Sequence, residues 1–592
     1  MGPLAAVLLL LLFTVSLLPA AAAEKAETKT IRILATSDTH GKFMLWDYAL
    51  NEESLSGSLA QVSSAVRQYR TDATLLVDAG DTIQDNAADI FVRTGKIHPM
   101  IQAMNVMKYD VWVTGNHEYN YGMGVVRQAV ADSRAKVLAG NVYFSDGTRV
   151  GDRYAIFDVD GVRVAVIGMV TPNIVHWDAE NLAGCVVTDP YAETRGVIDS
   201  IRGQYDVLVG VFHMGLQSEY GMKYSGVADI LNDCPEFDVM VSAHEHALVP
   251  SMDINGVLVV QNKNLGQTMS VIDVTLEKDS EGWKVTGKTA GSVDISGFEA
   301  DPELVRALTP AHEYALADAW QPIGRLEGGP LAPENEIEGI PEARIRDTAL
   351  VDLINSAQLY YSGAQVSATA LFTGRANMRP GVIRKSDMAL IYKHSNTLCT
   401  LRVTGAQLRK YMEWSASYYS TWRPGDLTVS FNPEFRDYWY DMFAGVNYEI
   451  DISAEPGNRI RNLSRPDGTP VADSEEFVLA VNNYRARSIL LVPGFIFEEG
   501  GLPVLLETDI HGELGGVREM IRSYIVDVKD GKLTPECDHN WRLTGADWDP
   551  EKHAEAAALL KEGKLPLPAP QEEWIPYHAV TVEDLERARE DN

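Results

Sequence analysis

The sequence predicts an α/β fold, and three observations lead to that prediction. Short runs of β-branched apolar residues recur from residue 31 to about residue 275, turn residues bound each run, and polar or helix-forming stretches separate the runs. Consecutive apolar positions of this kind are typical of strands buried on both faces, as in a sheet covered by helices. The runs are IRILAT, TLLVDAG, YDVWVTG, VRVAVIGMV, YDVLVGVF, FDVMVSA and GVLVVQN.

The first residues resemble a segment that directs export. An apolar run extends from Leu4 to Leu18, and Pro19 and a small-residue tract ending at Ala23 follow it. This pattern is typical of a cleavable signal peptide over residues 1–23. The alternative is an uncleaved membrane anchor, but the run is shorter than the roughly 20 residues that a span needs. We therefore expect a secreted protein, periplasmic or extracellular, with no membrane span after cleavage.

Composition divides the rest of the chain into four parts. Residues 24–297 contain the strand runs and form the predicted first domain. Residues 298–336 are predicted to be a linker, with a helix interrupted near Pro310 and a Gly- and Pro-rich loop. Residues 337–535 form a second α/β domain with aromatic-rich loops, and residues 536–592 are predicted to be an acidic, peripheral tail. The pattern does not predict an oligomeric state.

Charge and cysteine content exclude two classes of protein. The formal net charge of the 592 residues is −32, whereas proteins that grip polymeric nucleic acid neutralise phosphates with Lys and Arg. Four cysteines are too few for a disulfide framework in a chain of this size. A small anionic substrate would need local positive charge, which metal ions can supply.

Metal-ligating residues follow five of the predicted strands. Because ligands bind at the carboxyl ends of strands in open α/β sheets, we expect these residues to converge on one site. Each motif alone is weak, and the prediction rests on all five occurring in order within one domain. The residues are Asp38 and His40 after the first run, Asp81 after the second, Asn116 and His117 after the third, His213 after the fifth, and His244 and His246 after the sixth.

These residue types suit a pair of divalent ions. Such ions lie about 3.5–4 Å apart and need a bridging carboxylate, imidazole and amide ligands, and open positions for water and substrate. Asp81 is the expected bridge, with Asp38, His40 and His246 around one ion. Asn116, His213 and His244 would surround the other. Zn²⁺, Mn²⁺, Co²⁺ and Fe all fit these ligands.

His117 is left over from the ligand count. It can donate a proton to the phosphate or the leaving oxygen as a general acid, or stabilise charge there.

The series Asp38-x-His40, Gly80-Asp81, Gly115-Asn116-His117-Glu118, His213 and His244-x-His246 resembles the calcineurin-like metallophosphatases, specifically the two-domain 5′-nucleotidase family. The resemblance covers nearly all of the chain after residue 23. It implies a four-layer catalytic sandwich, a two-metal site, and a C-terminal domain that binds the nucleoside. One departure is Ala243, where these enzymes usually have Gly.

Flanking residues resemble one branch of the family, the exported bifunctional 2′,3′-cyclic-nucleotide 2′-phosphodiesterase/3′-nucleotidases. The matching segments are GDTIQ from Gly80, HPMIQAMN from His98 and GNHEYNYG from Gly115. The true 5′-nucleotidases tend to have Asp where this chain has Asn120. A neutral Asn would orient the His117 ring without stabilising its cation as a carboxylate does.

The second domain resembles the same branch. The matching segments are YKHSNTL from Tyr392, FNPEFRDYWY from Phe431, GVNY from Gly445 and VNNYRA from Val481. In these enzymes two aromatic rings sandwich the base, and stacking contributes about 1–3 kcal/mol per base. The resemblance assigns the rings to Tyr484 and to Tyr438 or Tyr440, although ordinary packing is the alternative role.

Two further features of the second domain bear on substrate binding. Arg375, Arg379 and Asn396 are loose matches for phosphate or ribose contacts, with a solvated surface role as the alternative. After Tyr484 the family continues into a Gly-rich loop, whereas residues 487–497 intervene here, so the base pocket is expected to differ.

Together these observations predict an exported two-metal phosphoesterase. Its reaction would open 2′,3′-cyclic nucleotides to 3′-nucleotides and hydrolyse these to nucleoside and phosphate. One alternative is a 5′-nucleotidase or nucleotide-sugar hydrolase of the same fold. Another is a non-catalytic extracellular binding protein or adhesin on a phosphatase scaffold, which should have lost metal ligands that this sequence retains.

Overall fold

The computed structural model describes residues 27–567, except residues 281, 338, 395 and 513, and residues 576–591. The predicted signal peptide at residues 1–23 lies outside the described residues, and it stays a prediction. Within the described ranges no helix is both long enough and apolar enough to cross a membrane. Cys185, Cys234, Cys399 and Cys537 are all free.

The first domain alternates strands and helices. Its strands are β1 (Thr28–Thr36), β2 (Trp46–Asp47), β3 (Glu52–Glu53), β4 (Thr74–Asp78), β5 (Val111–Val113), β6 (Lys136–Leu138), β7 (Val142–Tyr143), β8 (Tyr154–Val159), β9 (Val162–Val170), β10 (Val186–Val187), β11 (Val207–His213), β12 (Val239–Ser242), β13 (Val249–Ile254), β14 (Val257–Gln261), β15 (Thr268–Asp279) and β16 (Gly282–Asp294). Its helices are α1 (Leu59–Tyr69), α2 (Pro99–Met107), α3 (Met123–Asp132), α4 (Ile174–Trp177), α5 (Pro190–Ser200), α6 (Val227–Asp233) and α7 (Pro302–Ala319).

Two six-stranded sheets form the middle of this domain, in the orders β16-β15-β1-β4-β5-β6 and β13-β14-β12-β11-β9-β8. Their facing sides share one core, to which Ile33 and Val209 belong. Leu34, the neighbour of Ile33, points the other way and packs with α1, α2 and α7, whereas α5 and α6 cover the outer face of the second sheet. The predicted four-layer sandwich is therefore confirmed.

The segment predicted to be a linker divides between the two domains. The prediction that its helix is interrupted near Pro310 is wrong, because α7 is continuous from Pro302 to Ala319. Pro310 removes one backbone donor, but Leu304, Leu308 and Ala315 are buried in the first domain, and this packing holds the helix across the proline. Strand β17 (Pro322–Leu326), by contrast, joins a sheet of the second domain.

The second domain is also α/β, as predicted. Its further strands are β18 (Val366–Ala370), β19 (Gly381–Arg384), β20 (Leu398–Thr404), β21 (Asp441–Ala444), β22 (Asn447–Asp451), β23 (Ile460–Ser464), β24 (Glu476–Asn482), β25 (Val504–Glu507), β26 (Lys532–Leu533) and β27 (Trp541–Thr544). Its helices are α8 (Ala349–Ser362), α9 (Lys385–Ile391), α10 (Gly405–Ala416), α11 (Asn483–Arg485), α12 (Val517–Ser523), α13 (Pro550–Lys561) and α14 (Val582–Asp591). The main sheet has the order β21-β18-β24-β20-β25.

The described part of residues 536–592 is packed against the second domain. Strand β27 runs parallel to β22, and Trp541 at its start is 4% exposed. Val580 and Leu585 share a small core with Leu427 of the domain. The prediction of a peripheral tail is wrong for these residues, because their scattered apolar side chains are buried despite the acidic composition.

Candidate metal centre and active site

Two loops at the carboxyl edge of the first sheet are joined backbone to backbone. The loop after β1 contains Asp38 and His40, and the loop after β4 contains Gly80 and Asp81. Asp38 N donates to Gly80 O at 2.8 Å, and His40 N donates to Asp81 O at 2.9 Å. The predicted ligands of these loops are therefore fixed relative to each other by main-chain hydrogen bonds.

Several predicted ligands have left-handed backbone conformations. The φ angles are 51° at Asp38, 42° at His40, 56° at Asp81, 79° at His244 and 59° at His246. A residue with a side chain seldom adopts this region, at a cost of about 1–3 kcal/mol, and such residues concentrate at functional sites. The loops thus fix the orientation of these side chains, and the strained backbone conformation lowers the stability of the fold.

Gly80 and Gly115 allow the loop after β4 to approach the loop after β5. A Cβ at Gly80, where φ is +94°, would lie 2.4 Å from Gly115 N, and a Cβ at Gly115 would lie 2.1 Å from Asp81 Oδ1. Both contacts are too close for any side chain. The Gly80-Asp81 and Gly115-Asn116 motifs are therefore required for the two loops to meet.

The carboxylate of Glu118 holds the Asp81 loop in place through hydrogen bonds. Its buried carboxylate accepts hydrogen bonds from the backbone N–H groups of Asp81 at 3.0 Å, Thr82 at 2.6 Å and Ile83 at 3.1 Å, and from Gly115 N. Burial and the neighbouring Asp81 carboxylate both raise the pKa of Glu118. No role was predicted for this residue, although its position next to His117 in the motif indicated a place near the site.

The structure brings the predicted ligands of the first ion together. Ligand atoms of Asp38, His40, Asp81 and His246 all lie within 4.8 Å of one another. His40 Nε2 and His246 Nε2 face each other at 3.0 Å, and Asp38 Oδ1 is 3.7 Å from His246 Nε2. Asp38 Oδ2 is buried and finds no hydrogen-bond partner among the described residues. Facing imidazole nitrogens and an orphaned carboxylate oxygen fit a bound cation.

The ligands of the second ion converge beside them. Asn116 Oδ1 lies 2.9 Å from His213 Nε2 and 2.8 Å from His244 Nδ1, and Asp81 Oδ2 lies 3.2 Å from His213 Nε2. Asp81 belongs to both ligand groups, the position predicted for the bridge. His213 Nδ1 lies 2.7 Å from Ala79 O, a bond that orients its ring with Nε2 toward the centre.

The charges of the centre favour an anionic Asp81. Burial alone would raise the pKa of this carboxyl, but His213, His117 and His40 lower it well below its usual range. Burial lowers the pKa of His246 to about 4, whereas at His213 the Asp81 carboxylate outweighs burial and raises the pKa to about 10. Metal ligands must be deprotonated, so Asp81 already has the charge that a divalent ion requires, whereas His213 would lose its proton when the ion binds.

A chain of side chains orients His117 at the edge of the centre. His117 Nδ1 lies 2.7 Å from Asn120 Oδ1, and Asn120 Nδ2 donates to both oxygens of Asp178 at 3.1 and 3.0 Å. Asp178 is 5% exposed, and burial raises its pKa to about 6. His117 Nε2 lies 3.9 Å from Asp81 Oδ2 and so faces the metal ligands. Asp178 therefore supplies, behind Asn120, the carboxylate that position 120 itself lacks.

Aromatic side chains of both domains line a cleft next to the centre. The Trp177 ring lies 5.2 Å from the His244 ring, and Trp177 Nε1 donates to Tyr220 Oη at 3.3 Å. Burial and the neighbouring Tyr484 raise the pKa of Tyr220 to about 12. Tyr484 and Tyr438, both half-buried, have ring centroids 6.3 Å apart at an interplanar angle of 66°. Trp177 and Tyr220 were not predicted from the sequence, because no motif marks them.

The structure distinguishes the two tyrosines proposed as partners of Tyr484. Tyr440 is 1% exposed, its ring stacks on Tyr418 at 4.6 Å, and its hydroxyl lies 2.7 Å from Tyr419 Oη. It is therefore a core residue and not a base contact, because no face of its ring is open. Tyr438 is the residue that meets Tyr484.

The looser substrate contacts do not converge on the centre. Arg375 is exposed, and Arg379 forms an exposed ion pair with Glu334. In the described chain no hydrogen bond or ion pair joins either arginine to the metal ligands. Asn396 is half-buried near the domain boundary, where its carbonyl accepts a bond from Val517 N at 2.7 Å.

The second domain also places a half-buried histidine, His394, near the centre. Burial and Lys393 lower the pKa of His394 to about 3, with smaller effects from His117 and His40. Lys393 in turn lies 3.8 Å from Asp85 of the first domain. The polar run after Tyr392 was a signal for this position, but it could not show proximity to the metal ligands.

Two departures from the family pattern have clear placements. Ala243 is fully buried in the core between the sheets, where its methyl group is accommodated. The residues inserted after Tyr484 contact the first domain, since Arg487 pairs with Glu180. Asn483 Nδ2, just before them, lies 3.5 Å from Trp177 O. The insertion therefore borders the aromatic cleft.

Comparison with known proteins agrees with this site. The family model for calcineurin-like phosphoesterases matches residues 31–248. The model for the 5′-nucleotidase C-terminal domain matches residues 322–489. The chain therefore contains a calcineurin-like phosphoesterase domain followed by a 5′-nucleotidase C-terminal domain, as the motifs predicted.

Individual relatives span most of the chain. A 2′,3′-cyclic-nucleotide 2′-phosphodiesterase/3′-nucleotidase of Yersinia enterocolitica is 28% identical over 88% of this chain and 89% of its own length. The trifunctional nucleotide phosphoesterase YfkN of Bacillus subtilis is 28% identical over 87% of this chain, which spans only 39% of that protein. A candidate 5′-nucleotidase of Staphylococcus aureus, solved with alpha-ketoglutarate, superposes with a TM-score of 0.72 at 22% identity over 87% of this chain and 100% of that chain.

Proposed function

We propose that this chain is an exported two-metal phosphoesterase that converts 2′,3′-cyclic nucleotides to 3′-nucleotides and these to nucleoside and phosphate. The observation that carries the proposal is the pair of ligand groups sharing Asp81, with His117 beside them and the aromatic cleft adjacent. The activity for which the Yersinia enterocolitica relative is named supports the choice of ester.

The ligand set fits two divalent ions, and Asp38, His40, Asp81 and His246 would hold one, with Asp81, Asn116, His213 and His244 holding the other. When bound, such ions make water nucleophilic near neutral pH and neutralise charge on phosphoryl oxygens.

His117 has the position of a proton donor. Its Nδ1 is engaged by Asn120, which leaves Nε2 directed toward the centre. In the first reaction water adds to phosphorus, the P–O2′ bond breaks, and His117 protonates O2′. In the second, water adds again, the P–O3′ bond breaks, and O3′ receives the proton.

Tyr438 and Tyr484 would grip the base. Both rings are half-buried beside Trp177 and Tyr220 of the first domain, so a base between the domains would place its ribose phosphate near His244. Stacking on such rings tolerates any base, and we expect weak base preference.

A phosphate-release assay tests this function. Purified protein is incubated with 2′,3′-cyclic AMP, 3′-AMP or 5′-AMP, with and without a chelator. We expect turnover of the first two substrates and its loss with chelator. Preference for 5′-AMP would instead identify a 5′-nucleotidase, and a chain that binds no divalent metal would be a binding protein.

Export is tested separately. The full-length chain is expressed with a C-terminal tag in a bacterial host, and the N-terminus of the product is sequenced. We expect extracytoplasmic protein that begins at residue 24. Intact protein retained in the cytoplasm would contradict export without affecting the proposed chemistry.

A further inference from the structure

A second group of metal-ligating side chains lies in the second domain, on elements that contribute nothing to the catalytic centre. Asp347 precedes α8, and Cys537 and His539 belong to the connection between β26 and β27. One ligand atom from each of these three residues lies within 4.8 Å of the others. Cys537 Sγ is 3.3 Å from His539 Nδ1. These two segments therefore direct a thiol, an imidazole and a carboxylate to one point.

Two more carboxylates adjoin this point. Oxygen atoms of Asp347, Asp352 and Asp538 also lie within 4.8 Å of one another. Among the residues that the structure describes, His, Cys, Asp and Glu side chains converge in this way only here and at the catalytic centre. The ligand atoms of this cluster therefore lie as close together as those of the predicted catalytic metal ligands.

The donor types indicate which ion would bind. A thiolate is a soft ligand that Zn²⁺ accepts together with imidazole and carboxylate, usually as four tetrahedral ligands. Mg²⁺ and Ca²⁺ prefer oxygen ligands alone. The catalytic ligands are carboxylate, imidazole and amide, so a thiolate–metal bond would be particular to the second cluster.

The charges of the cluster are uncompensated by the protein. In the described part of the chain no Lys or Arg forms an ion pair with Asp347, Asp352 or Asp538, and the flanking Arg346 and Arg542 are paired with glutamates elsewhere. Asp352 is only 9% exposed. A divalent cation would supply the missing charge.

Backbone hydrogen bonds already hold the ligands in place. Asp538 N donates to Asp352 Oδ2 at 3.1 Å, and Asn540 N donates to Asp347 Oδ2 at 3.0 Å. The connection then continues into β27, whose Trp541 is buried in the domain core. An ion at this point would tie the last strand of the domain to the start of α8.

We propose that Asp347, Cys537 and His539 bind a structural Zn²⁺ ion, with a carboxylate oxygen of Asp538 or Asp352 completing the coordination. On binding, the Cys537 thiol exchanges its S–H bond for an S–Zn bond, and the proton passes to solvent without any change of oxidation state. This ion is additional to the catalytic pair, and its existence does not depend on the proposed reaction.

Cobalt substitution tests the proposal on the full-length protein. The chain is stripped with a chelator and reloaded with Co²⁺, which gives a near-ultraviolet charge-transfer band when a thiolate is a ligand. We expect this band in the wild type and in Asp81→Asn, whose catalytic centre is damaged. Cys537→Ser and His539→Ala should lose the band and contain one ion fewer per chain by mass spectrometry. The matched control Cys185→Ser, another half-buried free cysteine, should retain both.

Activity separates the two sites. Cys537→Ser and His539→Ala should hydrolyse substrate within about twofold of the wild-type rate, because surface-proximal changes distant from the chemistry have small effects. A wild type without the charge-transfer band, or a band that persists in Cys537→Ser, would overturn the proposal. If Cys537→Ser does not fold, the exposed His539→Ala variant decides the outcome.

Discussion

Replacing Asp178 by Asn removes one negative charge behind His117 while preserving the shape of the side chain. In the wild type Asn120 Nδ2 donates to both Asp178 oxygens, and Asn120 Oδ1 consequently faces His117 Nδ1 at 2.7 Å. In the variant two neutral amides face each other. The preference of Asn120 to turn Nδ2 toward position 178 and Oδ1 toward His117 is therefore weaker. We expect a slower reaction with nearly unchanged substrate binding.

The size of the effect follows from the bonds that change. A hydrogen bond to a charged group contributes about 1.5–3 kcal/mol, whereas one between neutral groups contributes about 0.5–1.5 kcal/mol. The difference of about 1–1.5 kcal/mol corresponds to a loss in kcat of roughly fivefold to twelvefold, since each factor of ten is about 1.4 kcal/mol.

The assay compares leaving groups at saturating metal. With 3′-AMP the leaving alkoxide needs a proton, and kcat should fall by the stated factor. With p-nitrophenyl phosphate the leaving group needs little protonation, and kcat should change much less. An unchanged kcat for 3′-AMP, or equal losses for both substrates, would refute the orientation of His117 through Asn120 and Asp178.

A reciprocal exchange provides the control. Asn120→Asp alone puts two carboxylates side by side and should lose activity. The double variant Asn120→Asp with Asp178→Asn restores one acceptor next to His117 and one donor behind it. We expect it to recover most of the activity, which a nonspecific structural effect would not allow.

Four further predictions follow from the described contacts. Asp81→Asn should remove the catalytic ions and lower phosphate release by more than about a hundredfold, because both ligand groups share this carboxylate; retention of both catalytic ions at the wild-type rate would contradict the bridge. Glu118→Gln should cost about 2–3 kcal/mol in urea unfolding, because an amide cannot accept from every backbone N–H that the carboxylate now binds; an unchanged midpoint would argue against this role. His98 is buried with a pKa lowered to about 4, so the neutral ring is favoured in the folded state and stability should fall by about 3 kcal/mol as pH drops from about 6.5 to about 4; His98→Asn should flatten this slope in metal-free protein, and identical pH profiles would disprove the assignment. Tyr484→Ala should raise KM for nucleotides by roughly fivefold to a hundredfold while Tyr440→Phe leaves it unchanged, and the reverse pattern would exchange their roles.

The sequence predicted the parts of the site that local pattern determines. Strands buried on both faces are visible as consecutive apolar residues, and ligands such as Asp81 and His213 follow their ends directly. Asp178 could not be predicted, because it meets Asn120 from 58 positions further along the chain. Tyr438 and Tyr440 lie two positions apart, and only the packing of Tyr440 on Tyr418 distinguishes them.

The same limit explains the helix through Pro310. A proline predicts a break from local backbone chemistry, but the free energy of burying Leu304 and Leu308 depends on a neighbouring domain surface that the segment itself does not encode. Long-range burial likewise decided the position of Trp541 and the residues after it.

The left-handed backbone at the metal ligands sets stability against metal binding. Glycine adopts this conformation without the steric cost that Asp or His incurs. Glycine at any one of these positions would relieve backbone energy but would remove a predicted ligand. Asp or His occupies all five, at Asp38, His40, Asp81, His244 and His246. In these loops, therefore, substitutions that raise stability are expected to cost metal binding.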